Sequence, residues 1–158
     1  MKAEFVNPFL MATQDVFDRM LGLSIEKGKL ELKEDLIAGK EANVLISIVG
    51  SLLGAVVYSF PKTTALEIVR IMSGMEIEAL DIFVTSALGE VGNIISGNAV
   101  SYLEKANYRC DIAPPQIILG ENKSVSVAAP KSLLVPIKTK AGDFEISIAL
   151  KENPNAQS

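Results

Sequence analysis

The sequence contains no histidine and a single cysteine, Cys110. The first absence removes Ser-His-Asp and Cys-His catalysis and the common zinc sites, all of which depend on an imidazole. The second removes any intrachain disulfide. Cations are missing locally. No Lys or Arg lies between Arg70 and Lys105, a window that holds Glu76, Glu78, Asp81, Glu90 and Glu104. Formal net charge is −4 at pH 7, and those acids leave the remainder of the chain close to neutral. Nucleic acid and anionic membrane surfaces are therefore poor partners. The N-terminus shows no signal-peptide pattern. The apolar run 84–99 is interrupted by Glu90, Asn93 and Asn98, which excludes a membrane span. The expected location is the cytoplasm.

What is present is concentrated in one proline-free segment, Glu76 to Lys105, with a helical repeat throughout. Phe83, Ala87, Val91, Ile94, Ile95, Ala99 and Tyr102 fall at three- and four-residue steps and draw an apolar stripe. Ser86, Glu90, Asn93 and Gly97 fall at the same steps and draw a second stripe, small except for one carboxylate and one carboxamide. Solvated helix faces ordinarily collect Lys, Arg, Glu and Gln. Gly89, Gly92 and Gly97 each cost about 1 kcal/mol relative to Ala in a helix interior, so close approach of another surface is the expected offset. On spacing alone two readings stand. Glu90 and Asn93 form a solvated pair while the glycines pack within the fold, or the stripe is a contact surface for another molecule.

With 158 residues, 49% of them hydrophobic, the chain suffices for one domain over 1–152 with a sizeable core, followed by a polar tail at 153–158. Glu4 to Leu23 carries the repeat of an amphipathic helix, with Pro8 suited to its first turn and Gly22 near its end. Ser24 to Glu34 alternates and predicts a half-buried strand; Leu36 to Gly39 predicts a turn. Ala42–Ile48 and Leu53–Phe60, around Gly50-Ser51, predict a hairpin whose second strand is central and buried on both faces. Thr64-x-x-Glu67 suggests a capping box opening a short helix that ends at Ser73-Gly74. Met72 and Met75 read as core filling.

The long helix is expected from about Glu76. Tyr108 to Ala113 predicts a strand broken by Pro114-Pro115, with short strands at Gln116–Leu119 and Ser124–Ala128. Leu133–Thr139 and Asp143–Leu150 form the clearest hairpin. The order gives an α+β fold, mainly antiparallel sheet packed against long helices.

Ser86-x-x-x-Glu90-x-x-Asn93, running into Ile94-Ile95-Ser96-Gly97-Asn98-Ala99, resembles the signature of the CheC/CheX/FliY family of chemotaxis phosphatases. That signature places Ser or Asp before Glu-x-x-Asn on a long helix, then a proline. Here the prolines are Pro114 and Pro115, slightly out of register, while the Glu, Asn and Gly-Asn-Ala parts match. One Glu-x-x-Asn site in a chain of this length fits the single-site CheX type. The resemblance implies a CheC-like domain that hydrolyses the aspartyl phosphate of a CheY-like receiver domain. By the same resemblance Asn93 orients the attacking water and Glu90 pairs with the receiver's lysine. Ser86, Gly89 and Gly97 would let the partner approach. No cofactor is expected on this chain; Mg²⁺ is expected on the phosphorylated receiver.

The resemblance further implies a homodimer, and a β edge near the C-terminal hairpin would offer a route to one. Asn98 is five residues from Asn93, points elsewhere on the helix and suggests hydrogen bonding in or near the core. The competing reading is a non-catalytic receiver-binding or flagellar-switch-type module of the same fold, which would need neither Glu90 nor Asn93. An unrelated carboxylate enzyme is disfavoured, because Glu90 has no His, Cys or Asp at matched spacing.

Overall fold

The computed structural model describes residues 1–129 and 131–156. In chain order the elements are α1 (Ala3–Val16) continued by a π-helical turn (Phe17–Leu21), β1 (Glu26–Lys27), β2 (Glu31–Lys33), β3 (Leu36–Ala38), β4 (Ala42–Gly50) and β5 (Leu52–Phe60). Helices α2 (Lys62–Ser73) and α3 (Ile82–Lys105) follow, then β6 (Cys110–Ile112), β7 (Gln116–Leu119), β8 (Lys123–Val125), β9 (Ser132–Thr139) and β10 (Gly142–Glu152).

The two most apolar strands pair with each other at the middle of the sheet. β4 and β5 form an antiparallel hairpin in which Val44 faces Tyr58 and Ile46 faces Val56. β5 pairs on its other side with β10, and β10 with β9, giving the core order β9-β10-β5-β4. Short strands finish both sides: β1 and β2 pair with β9, and β6 and β7 pair with β4. Every pairing is antiparallel, which lets neighbouring strands be joined by tight turns.

Alternation divides the strand residues between two cores. Val44, Ile46, Ile48, Val56, Tyr58, Phe60, Ile146 and Ile148 point toward the helices. Leu45, Ala55, Val57 and Ala149 point the other way, under a small β3–β8 sheet that supplies Leu36 and Ala38. β5 is thus buried on both faces, as its apolar run predicts. On the helical side α3 lies over β4, β6 and β7, α2 reaches β10 and β5, and α1 packs along α3. Phe144 stacks with Phe17 and Phe60, ring centroids 5.1 and 4.9 Å apart, tying the end of α1 to the sheet.

Local signals were overruled at several points. Pro8 is buried inside α1, past the first turn, because the helix opens earlier, at Ala3. Ser24–Glu34 is two short exposed edge strands rather than a half-buried one; Leu30 and Leu32 are 36% and 58% exposed. Leu36–Ala38 is a strand, not a turn, because residues far along the chain at β8 pair with it. The capping box does not form. Pro61 precedes α2, Thr64 instead donates to the Asp143 carbonyl at 2.8 Å, and Glu67 pairs with Arg70.

α3 begins at Ile82, behind an irregular stretch at 75–81, and Met75 is 54% exposed. Its buried line is Val84, Leu88, Val91, Ile95, Ala99 and Leu103, so Phe83 falls outside it, 46% exposed. The start of the expected tail is tied down: Asn153 bonds Gly50 and Ser51 at the β4–β5 turn. Residues 157–158 of that tail lie outside the described residues. Among the described residues β1 and β2 pair along the outer side of β9, and β10 lies between β9 and β5.

Close strand contact makes one glycine necessary. Gly54 in β5 has φ +149°, and a methyl there would sit 1.8 Å from the Ala149 carbonyl oxygen of β10. Gly54→Ala is expected to destabilise the fold by about 3 kcal/mol, read as a lowered urea midpoint at unchanged m-value.

Candidate functional site

Helix α3 is held at both ends. The Asp81 carboxylate accepts from the Val84 amide at 3.0 Å, satisfying one of the free donors of the first turn. At the other end Asn107 takes a left-handed conformation with φ 70°. Its amide donates to Glu104, and the Tyr108 amide donates to Leu103 at 2.9 Å, closing a Schellman turn with Asn at the usual glycine position.

The underside of α3 is set by its second glycine. A methyl at Gly92 would come within 2.9 Å of Val44 Cγ1 and 3.3 Å of Tyr58 Cδ2. The helix therefore rests directly on the central β4–β5 pair. One turn further on, the Tyr58 and Ser96 hydroxyls are 2.8 Å apart, both side chains fully buried. Burial pushes the Tyr58 phenol well above its ordinary range, partly offset by the Ser96 bond, so it stays protonated.

With this underside fixed, the second stripe faces outward. Ser86 and Glu90 are exposed, and Asn93 and Gly97 half-buried. Glu90 and Asn93 are one turn apart on the same face. Among the described residues no ion pair engages Glu90, and no hydrogen bond restrains the Asn93 carboxamide. Space around Gly97 is open, whereas Gly89 is buried against Pro115 and Ile117, 3.7 and 3.6 Å from where its Cβ would lie. A Cβ at Gly89 would make ordinary contact with both, so this side of the helix is covered by the chain itself.

The acidic window does not form one patch. Asp81 is spent on the cap, Glu76 and Glu78 precede the helix, and Glu104 lies about 20 Å along the axis from Glu90. Glu90 is the only acid on the outward stripe. Asn98 is half-buried and lines a depression with Asp15, Arg19, Ser101, Tyr102 and Lys105. There the Tyr102 hydroxyl donates to the Asp15 carboxylate, which raises the phenol pKa.

Two features beside the stripe were missed in the sequence. Ile82, 83% exposed, and Phe83 put apolar surface on the first turn of α3, on the same side as Ser86. Their signal was the Asp81 N-cap, which fixes where the helix starts. Ser96 and Tyr58 were missed because each reads locally as an ordinary helix or strand residue.

The family model for the chemotaxis phosphatase CheX matches residues 42–138, from the start of β4 into β9 and across the whole stripe. The chain belongs to the CheX family. It is 31% identical over 156 residues to the CheY-P phosphatase CheX of Thermotoga maritima, covering 96% of this chain and 98% of that one. Its fold is similar to a CheC-like superfamily protein from Shewanella sp. PV-4, with TM-score 0.86 and 30% identity over 96% of this chain and 99% of that one. It is also similar to the CheX-CheY-BeF3-Mg+2 complex from Borrelia burgdorferi, with TM-score 0.78 and 32% identity over 94% of this chain and 98% of that one. The α+β, CheC-like architecture read from the sequence is therefore correct. No helix among the described residues is long and apolar enough to cross a membrane.

The helix carrying the stripe opens on a first turn that exposes Ile82 and Phe83 and is capped by Asp81. Asp81→Ala is expected to cost about 1 kcal/mol, lowering Tm by several degrees and speeding amide exchange at Val84 and Thr85.

Proposed function

We propose that this CheX-family chain hydrolyses the aspartyl phosphate of a CheY-like receiver domain, offering the outward face of α3 as the catalytic surface. One observation carries the reading: Glu90 and Asn93 stand one turn apart on the outward face, and no other described residue bonds to either side chain. Kinship with a protein named CheY-P phosphatase, and with one solved in complex with CheY, supports it.

The chemistry asks little of the chain. Attack of water on phosphorus, with departure of the aspartyl carboxylate, yields inorganic phosphate. Such transition states are loose, so rate comes from positioning and charge stabilisation rather than from covalent help. The receiver brings the phosphoryl group, its lysine and Mg²⁺; this chain supplies a fixed water. A carboxamide suits the task, because its oxygen accepts from water while its NH₂ donates to a phosphoryl oxygen. Restricting one water is useful even when the gain is small, since ~1.4 kcal/mol is tenfold in rate.

Glu90 is a docking group in this reading, not a general base. Its carboxylate is free to take the receiver's lysine, and no basic residue of α3 before Lys105 competes for it. Ser86 and Gly97 keep the face low above and below the pair, and Ile82 and Phe83 add apolar contact area at its edge. Gly89 acts from beneath, as the seat of Pro115. A cytoplasmic location and a homodimer belong to the same reading and rest on kinship alone.

Asn93→Ala is expected to return phosphate release from a Mg²⁺-loaded, phosphorylated CheY-like receiver to its unassisted rate, a loss of about tenfold or more, with receiver affinity little changed. Equal loss of binding would make Asn93 a docking residue, and no acceleration by the unaltered chain despite binding would favour the non-catalytic module. Glu90→Lys is expected to weaken association about tenfold through repulsion of the receiver's lysine, most strongly at low salt; unchanged affinity would remove the docking role.

A further inference from the structure

Beneath the stripe lies a polar pair that packing alone does not require. Tyr58 faces Val44 in the central hairpin, is fully buried, and shares a hydrogen bond with the fully buried Ser96. Phe and Ala would fill nearly the same space without desolvating two hydroxyls, and such matched replacements are close to neutral in stability. The bond supplies direction instead. Aliphatic contacts tolerate sliding, whereas a hydrogen bond weakens steeply off its axis.

The same tyrosine grips α3 twice. Its ring edge lies under Gly92, where a methyl would come within 3.3 Å, and its hydroxyl meets Ser96 one turn later. Asn93 sits between these two points in the sequence. A helix with side chains has a radius of about 5–6 Å, so a rotation of about 10° carries a side-chain tip about 1 Å. A displacement of about 1 Å can cost about 10²-fold where catalysis is positioning.

We propose that Tyr58 is a positioning residue of the phosphatase site: through Ser96 and Gly92 it sets the rotation of α3 on the sheet, and with it the direction of Asn93. The inference rests on the phosphatase reading above. Glu90 shares the outward face, but docking by an exposed carboxylate on a flexible side chain tolerates a small rotation that water positioning does not. The expected signature is a fall in kcat at nearly constant KM.

The test compares Tyr58→Phe, Ser96→Ala and the double variant on a phosphorylated, Mg²⁺-loaded CheY-like receiver. In Tyr58→Phe the Ser96 hydroxyl is free to turn to the Gly92 carbonyl one turn back, so that variant folds. The double variant removes both buried polar atoms and should regain the thermal stability each single change loses. Its turnover at saturating receiver should nevertheless stay about tenfold or more below the parent, with KM within about twofold. The side-chain amide NMR signal of Asn93 should move in the free double variant.

Turnover that returns together with stability overturns the inference, because the bond would then be structural only. So does a loss confined to KM, or an Asn93 signal that does not move. A parent protein that releases no phosphate overturns the phosphatase reading itself, an outcome separate from these.

Discussion

The contact on which the rest depends is the seating of α3 against the central hairpin at Gly92. Val44 and Tyr58 face each other across β4 and β5, and the helix comes so close above them that a single methyl would clash. Everything on the outer side of α3 is referred to that contact. Because the buried line runs Val84, Leu88, Val91, Ile95, Ala99, Leu103, the opposite face can carry only what the sequence puts a half-turn away. A glycine that costs helix stability thus sets the depth of the functional face, and tight burial beneath it offsets the cost.

On the proposed reading, the site's economy follows from a division of labour with the receiver. A chain with no histidine, and no clustered acids on its outward stripe, is poorly equipped for acid–base catalysis. In the proposed reading it presents a carboxamide and a carboxylate from one helix face to a partner that already holds the reactive phosphoryl group. The features that look inert as enzyme chemistry, a carboxamide among small residues on a helix held at both ends, are what a positioning task requires. Rigidity comes from the Asp81 cap, the Asn107 turn and the buried Tyr58–Ser96 bond.

Local patterns were legible and long-range decisions were not. The β4–β5 and β9–β10 hairpins could be read because each strand's partner is its neighbour in the chain. The Glu90-Asn93 stripe could be read because helical spacing is itself local. Leu36–Ala38 was read as a turn because its partner strand, β8, lies far along the chain. Leu30 and Leu32 alternate like a half-buried strand, yet the edge position of β2 leaves them exposed. The start of α3 was misread because the repeat does begin near Glu76, and only the Asp81 cap shows where the helix starts. Gly89 stands on the helical face next to the stripe, and only the fold shows that Pro115 and Ile117 of its own chain lie against it. Tyr58 and Ser96 are 38 positions apart, and neither carries a mark of the other.

The outward stripe contributes almost nothing to holding the fold together. Ser86, Glu90 and Asn93 make no side-chain bond to any other described residue, and Gly97 has open space above it. Hydrogen bonding within the fold therefore places little demand on these positions. A lineage that ceased to need the activity could change them one by one while its descendants folded as well as before. An inactive descendant and an active one would then differ first at the side chains that touch a partner and, on the proposal above, at the buried Tyr58–Ser96 pair beneath them.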